Sequence, residues 1–238
     1  TTPDHLPLRQ AWLISAATGF LSLSWEIVWM RLYNFTTASR ASAFGAMLGS
    51  YLLGLALGSL WSRRWQKGLP VSPQETDQQI PLDRLIRRAN FAAFLVVPLV
   101  SWLVVGMWWP WTLPVVMLGA AWLGTVLPML CHLAIPPDEH AGQRVAGIYL
   151  ANIIGSGAGS LLTGFVLMDW LPLQWLCLLL LACSELLCRV MRWGVPDSTR
   201  KRWVPVVVTG AFAVAAFFGY SGLWERLQYR SAYSWGMK

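Results

Sequence analysis

Charge is what this sequence has least of. Among its 238 residues, 12% are Asp, Glu, Lys or Arg, where an ordinary soluble domain carries roughly 25%. That scarcity excludes a solvated surface wrapped around a water-soluble core. Cysteine is scarce too: Cys131, Cys177, Cys183 and Cys188 fall inside or beside apolar runs and form no CxxC pair. They read as small buried hydrophobes, not as a redox or zinc motif. His132 ends an apolar run beside Cys131, with no further ligand at metal spacing, so no metal or cofactor is expected. Gly155 and Gly157 begin a G-x-G-x-x-G pattern, but position 160 is serine and the stretch lies within an apolar helix, which excludes a nucleotide fingerprint. No Ser/His/Asp constellation can be assembled, and no catalytic residue is assigned. A cleavable leader is not expected either, because the first residues are polar and the first apolar run is too long.

What is abundant is apolar. Hydrophobic residues make up 56% of the chain, mean hydropathy is +0.50, and there are 16 tryptophans, a side chain suited to lipid–water boundaries. The apolar residues come in blocks near the ~20 residues a membrane helix needs. Seven spans are predicted, at about 11–33, 41–61, 90–108, 112–135, 145–168, 173–191 and 204–220, followed by an amphipathic tail over 221–238. Between spans two and three lies a long polar stretch, 62–88. Helices are required because lipid offers no partner to backbone amides. The fold class expected is an all-α integral membrane protein.

The net charge of +7 belongs to orientation and to anionic lipid headgroups. On one side, which receives the N-terminus and the loops after spans two, four and six, there are 13 Lys and Arg residues; the other holds 5. The positive-inside rule puts the N-terminus in the cytoplasm, and seven spans put the tail outside. Trp108, Trp109 and Trp111 would mark one lipid boundary, and Trp61, Trp65, Trp193 and Trp203 the other. The partners implied are the bilayer and other membrane subunits or further copies of the chain, not nucleic acid.

Small residues recur four apart in two spans. Gly45 and Gly49, then Gly54 and Gly58, punctuate the second; Ala151, Gly155 and Gly159 punctuate the fifth. Such spacing lets helix backbones approach closely where lipid gives no hydrophobic drive, so both spans are expected to be interior packing helices.

Two blocks carry a family resemblance. "GFLSLSWEIVWMRL" followed by "ASAFGAMLGSYLLGLALGSLWSRR", and "GAAWLGTVLPMLCHLAI" followed by "GQRVAGIYLANIIGSGAGSLLTGFVL", resemble the membrane domain of fused major-facilitator/spermidine-synthase-like proteins of bacteria over roughly the first 170 residues. The resemblance implies a bundle like half of a major-facilitator transporter, in the bacterial inner membrane. The segment "LGSLWSRRWQKG" is similar to the loop after the second helix of such transporters, but lacks the acidic residue usual there. In long family members an aminopropyltransferase-like domain follows the membrane part. Nothing in these residues supplies its glycine-rich loop or acidic site, although "LWERLQYRSAY" resembles the junction before it.

Ionisable groups inside a span cost at least about 2.5–3.5 kcal/mol at its centre, so each asks for a reason. Glu26 is the foremost case. Arg31, five residues on, sits about 140° round the helix and is near enough to the span end to snorkel. Glu26 is therefore expected to face the bundle interior and meet Tyr51, Asn152 or Ser22. It can serve as a polar clamp, as the anionic contact of a cavity for a cationic or amphipathic ligand such as a polyamine, or as a proton-coupling acid. Glu185 has Arg189 four residues later, a spacing for an ion pair. Three functions stand open: a non-catalytic scaffold or accessory subunit, a transporter or binding protein for a small cationic metabolite, and the anchor of an aminopropyltransferase-like enzyme.

Overall fold

The computed structural model describes residues 6–37, 39–66, 75–106, 109–191 and Gly210; in 75–81 and 105–106 it describes the backbone alone. The described residues are helical, with no strand among them. The chain runs through α1 (Leu8–Thr36), α2 (Ala41–Gln66), α3 (Glu75–Gly106), a 3-10 turn (Trp109–Thr112), α4 (Leu113–Gly124), α5 (Val126–Ala134), α6 (Ala141–Leu162), a π-helical turn (Thr163–Leu167), α7 (Met168–Trp170) and α8 (Leu173–Met191). Six helical stretches among these residues are long and apolar enough to cross a membrane. The chain is a multi-pass membrane protein, with six such helices among the described residues. The seventh, at 204–220, and the tail, at 221–238, lie outside the described residues apart from Gly210, which is helical.

The largest shift from the expected boundaries lies between the second and third spans. The polar stretch 62–88 was expected to link two spans, yet α2 continues to Gln66 and α3 begins at Glu75. Asp83 and Arg87, an i,i+4 pair joined at 3.1 Å, sit on the first turns of α3 that face other helices.

Each interruption has a local cause. The fourth span breaks at Thr125 because Pro128, three residues on, has no N–H to give back to the Gly124 carbonyl. At the break, Thr125 donates its hydroxyl to the Trp122 carbonyl at 2.7 Å. The fifth span loosens into the π turn at Thr163, whose hydroxyl is drawn across to Ser24 Oγ at 2.8 Å. Pro172 then holds Leu171 extended and ends the span.

Two helix pairs make the closest approaches, α1 with α6 and α2 with α4. In both, glycines of one helix lie on carbonyls of the other. A Cβ added at Gly155 would land on the Ala16 carbonyl, and one at Gly159 on that of Phe20. Likewise Gly54 meets the Met117 carbonyl and Gly58 that of Ala121. The two pairs match in register: residues 54 and 58 stand to 155 and 159 as 16 and 20 stand to 117 and 121. Spans one and two of the first three and spans four and five of the last three therefore pack in matching register, as the leading helices of two like units. Because three is odd, the second unit runs inverted relative to the first. Gly45 and Gly49 correct the sequence reading. A Cβ there would meet nothing within 4 Å, since the buried face of α2 runs through Met47, Tyr51, Gly54, Gly58 and Ser62, on the other side of the helix.

The core is filled by large side chains of α1. Trp25, Trp29 and Tyr33 are fully buried, and each places its polar end on a partner. Trp25 Nε1 donates to Asn90 Oδ1 at 3.0 Å, Trp29 Nε1 to the Ala93 carbonyl at 3.3 Å, and the Tyr33 hydroxyl shares a short hydrogen bond with Thr112. Trp61 and Trp65, expected at a lipid boundary, form an aromatic cluster with Trp122 of α4. Trp111 is 64% exposed at the opposite end of the bundle. Trp108, Trp193 and Trp203 lie outside the described residues.

Candidate functional site

Thr18, Ser22 and Glu26 follow one another at intervals of four, so they stand on one face of α1 over about 12 Å. That face lines a cavity of about 430 Å³, within the size range of pockets that take small organic molecules. The floor is α1 together with α4 and α5; α2 supplies Tyr51 and Leu55 on one side, and α6 supplies Asn152 and Ser156 on the other. Asn90 of α3 closes the back.

Glu26 is 7% exposed, and what exposure it keeps is toward this cavity. It shares the cavity wall with Tyr51, whose hydroxyl shares a 3.0 Å hydrogen bond with Ser22 Oγ. Asn152 donates Nδ2 to the Ser15 carbonyl at 3.2 Å, so its side chain is held against α1 at the cavity wall. The helices that come closest thus bring together Glu26, Tyr51 and Asn152, which the sequence proposes as contacts, in one cavity. Arg31 is not there. It is exposed and donates Nη1 to the Met168 carbonyl at 2.9 Å, satisfying a backbone acceptor just after the π turn.

Several lining residues escaped the sequence reading, Asn90, Thr18 and Ser156 among them. Asn90 was taken as the first residue of a span; it is 2% exposed, accepts from Trp25 and donates to the Ile86 carbonyl at 2.9 Å. Thr18 and Ser156 are small polar residues, the first in a helix read for Glu26 and the second in a helix read for its glycines. The spacing of Thr18 and Ser22 from Glu26 was the available signal.

Glu185 has a partner that the sequence reading did not name, beside the Arg189 that it did. Its Oε2 lies 3.1 Å from Nη1 of Arg87 on α3, the residue that also holds Asp83. The added partner follows from α3 starting earlier than the polar stretch suggested, which puts a guanidinium between two carboxyl groups. Arg189, as expected from its spacing, also acts on Glu185 as a positive charge. The Arg87–Glu185 contact is one of charge, not a directed hydrogen bond: Arg87 Nη1 and both Glu185 oxygens are buried without a hydrogen-bond partner among the described residues. Asp83 and Glu185 stand with Arg87 between α3 and α8, away from the cavity.

Among the described residues no group of three or more His, Cys, Asp or Glu is placed to hold a metal ion. Comparison of the chain with models of protein families, with curated proteins and with solved structures found no match.

Proposed function

We propose that this chain is a membrane protein of transporter type that binds a small cationic metabolite, with Glu26 as the anionic contact and Tyr51 and Asn152 as orienting groups. The observation that carries the reading is the cavity among the spans with a carboxyl group in its wall. A carboxylate inside a bilayer is costly unless something answers it, and a bound cation answers it more fully than one tyrosine hydroxyl. Two inverted three-helix units are the arrangement found in each half of major-facilitator transporters. That agrees with the sequence resemblance to the membrane domain of major-facilitator/spermidine-synthase-like proteins.

Purification of the chain from native membranes into lipid nanodiscs, followed by mass spectrometry of co-extracted small molecules, tests this. A positively charged compound should be enriched with the unmodified chain and lost with Glu26→Gln. Equal recovery from both would count against the reading.

An accessory-scaffold reading rests on a separate observation: Gly45 and Gly49 of α2 and Gly157 of α6 face outward with nothing within 4 Å. Close-approach residues left open in this way suit packing against another membrane helix. A scaffold would copurify with stoichiometric subunits and tolerate Glu26→Gln.

A further inference from the structure

Two residues of the cavity lining are exposed: Leu52 of α2, at 55%, and Tyr149 of α6, at 49%. The other lining residues are buried or half-buried, so these two mark the mouth, between α2 and α6. Both lie inside the apolar stretch of their helix and not at its end. The flanking exposed side chains are Leu53 and Leu57 on one rim and Leu150 and Ile153 on the other. The mouth therefore opens sideways, toward acyl chains. Inside, apolar Leu23, Leu55, Leu123 and Leu127 share the wall with Glu26, the one carboxyl group among the lining residues.

We infer that the ligand is a singly charged amphiphile, an amine bearing one hydrocarbon arm, which enters from the lipid between α2 and α6 and sets its ammonium on Glu26. This rests on the cation-binding reading above and narrows it. One carboxylate neutralises one ammonium. A second or third ammonium, as in a polyamine, would remain uncompensated within the bilayer, at a cost on the order of 100-fold in affinity each. The leucines of the wall receive the arm, and a ligand already dissolved in the membrane needs no aqueous path to the mouth.

The test uses the whole chain in nanodiscs of zwitterionic phosphatidylcholine, titrated calorimetrically with dodecylamine, butylamine and spermidine, with empty discs subtracted. Saturable 1:1 binding of dodecylamine is expected, with butylamine weaker and spermidine at least 100-fold weaker. Glu26→Gln should weaken dodecylamine at least 10-fold. Leu52→Trp, at an exposed position where folding is not at stake, should narrow the mouth and weaken or slow dodecylamine several-fold without strengthening spermidine. Should Glu26→Gln not fold, the three-amine comparison on the unmodified chain and Leu52→Trp still decide. Spermidine binding as tightly as dodecylamine, both dependent on Glu26, would overturn the amphiphile and leave the cation site standing. Dodecylamine heat no greater than in empty discs, with no spermidine binding, would remove both. Dodecylamine binding unchanged in Leu52→Trp would overturn lateral entry.

Discussion

At the scale of single residues, the unequal roles of three charged side chains can be measured. Arg87 stands between Asp83 and Glu185, so removing it leaves two buried carboxyl groups facing each other. Removing Glu185 leaves Arg87 still paired with Asp83. Breaking a buried pair by deleting one partner costs about 3–5 kcal/mol when an uncompensated charge stays behind. Arg87→Met should therefore lower stability by about that much, and Glu185→Gln by clearly less, in SDS titrations of refolded protein. Equal losses would mean that Arg87 is not shared. A smaller effect is expected at Trp25. Trp25→Phe removes the bond to Asn90, and interhelical hydrogen bonds in membranes are worth about 0.6 kcal/mol and at most about 1.7. Glu26 announced itself in the sequence because a carboxyl group is conspicuous in an apolar run. Asn90 and the Arg87–Glu185 contact did not. A polar residue near a span end reads equally well as solvated, and sequence spacing ranks a partner on the same helix above one on a neighbour.

Helices add what residues alone do not fix, namely which face meets which. Gly54, Gly58, Gly155 and Gly159 each lie against backbone of another helix, where even a methyl group forces the pair apart. Gly58→Ala and Gly155→Ala should each destabilise by about 1–3 kcal/mol through overpacking. Gly45→Ala and Gly49→Ala should stay within about 0.5 kcal/mol in the isolated chain, as substitutions at open positions do. Thermal unfolding in detergent, followed by circular dichroism, separates the two sets. A comparable loss at Gly49 would show that the outward face of α2 is covered. The sequence displayed all six glycines at the same spacing of four, and nothing in that spacing tells an inward pair from an outward one. The periodicity of the large residues around them, Met47 and Tyr51 inward against Leu52 and Leu53 outward, carries that information in a helix apolar on all sides.

Across the whole molecule, the largest helix contacts join the first three spans to the last three: α1 with α6, and α2 with α4. Neither unit has a closed core of its own. Fragments 1–106 and 109–238, expressed separately, should be degraded, whereas coexpression should restore both to the membrane at several-fold higher level, as read by immunoblot. Stable accumulation of either fragment alone would show that the units are independent. The composition made lipid residence and most of the span boundaries legible, because hydropathy is a local property. The matching of the two units was half hidden: Gly54 and Gly58 answer to Gly155 and Gly159, but across each contact Ala16 answers to Met117, and Phe20 to Ala121. Carbonyls make those contacts, and every residue has one.

An odd number of crossings per unit has a bearing on ancestry. A copy joined to the end of such a unit begins on the far side of the bilayer and must insert upside down. Descent from one doubled precursor would require a short peptide able to insert in both orientations and to pair with its own mirror-oriented neighbour. Fusion would then have fixed the two orientations in one polypeptide, freeing the acid now at position 26 to arise on one strand of the duplicate and not on the other.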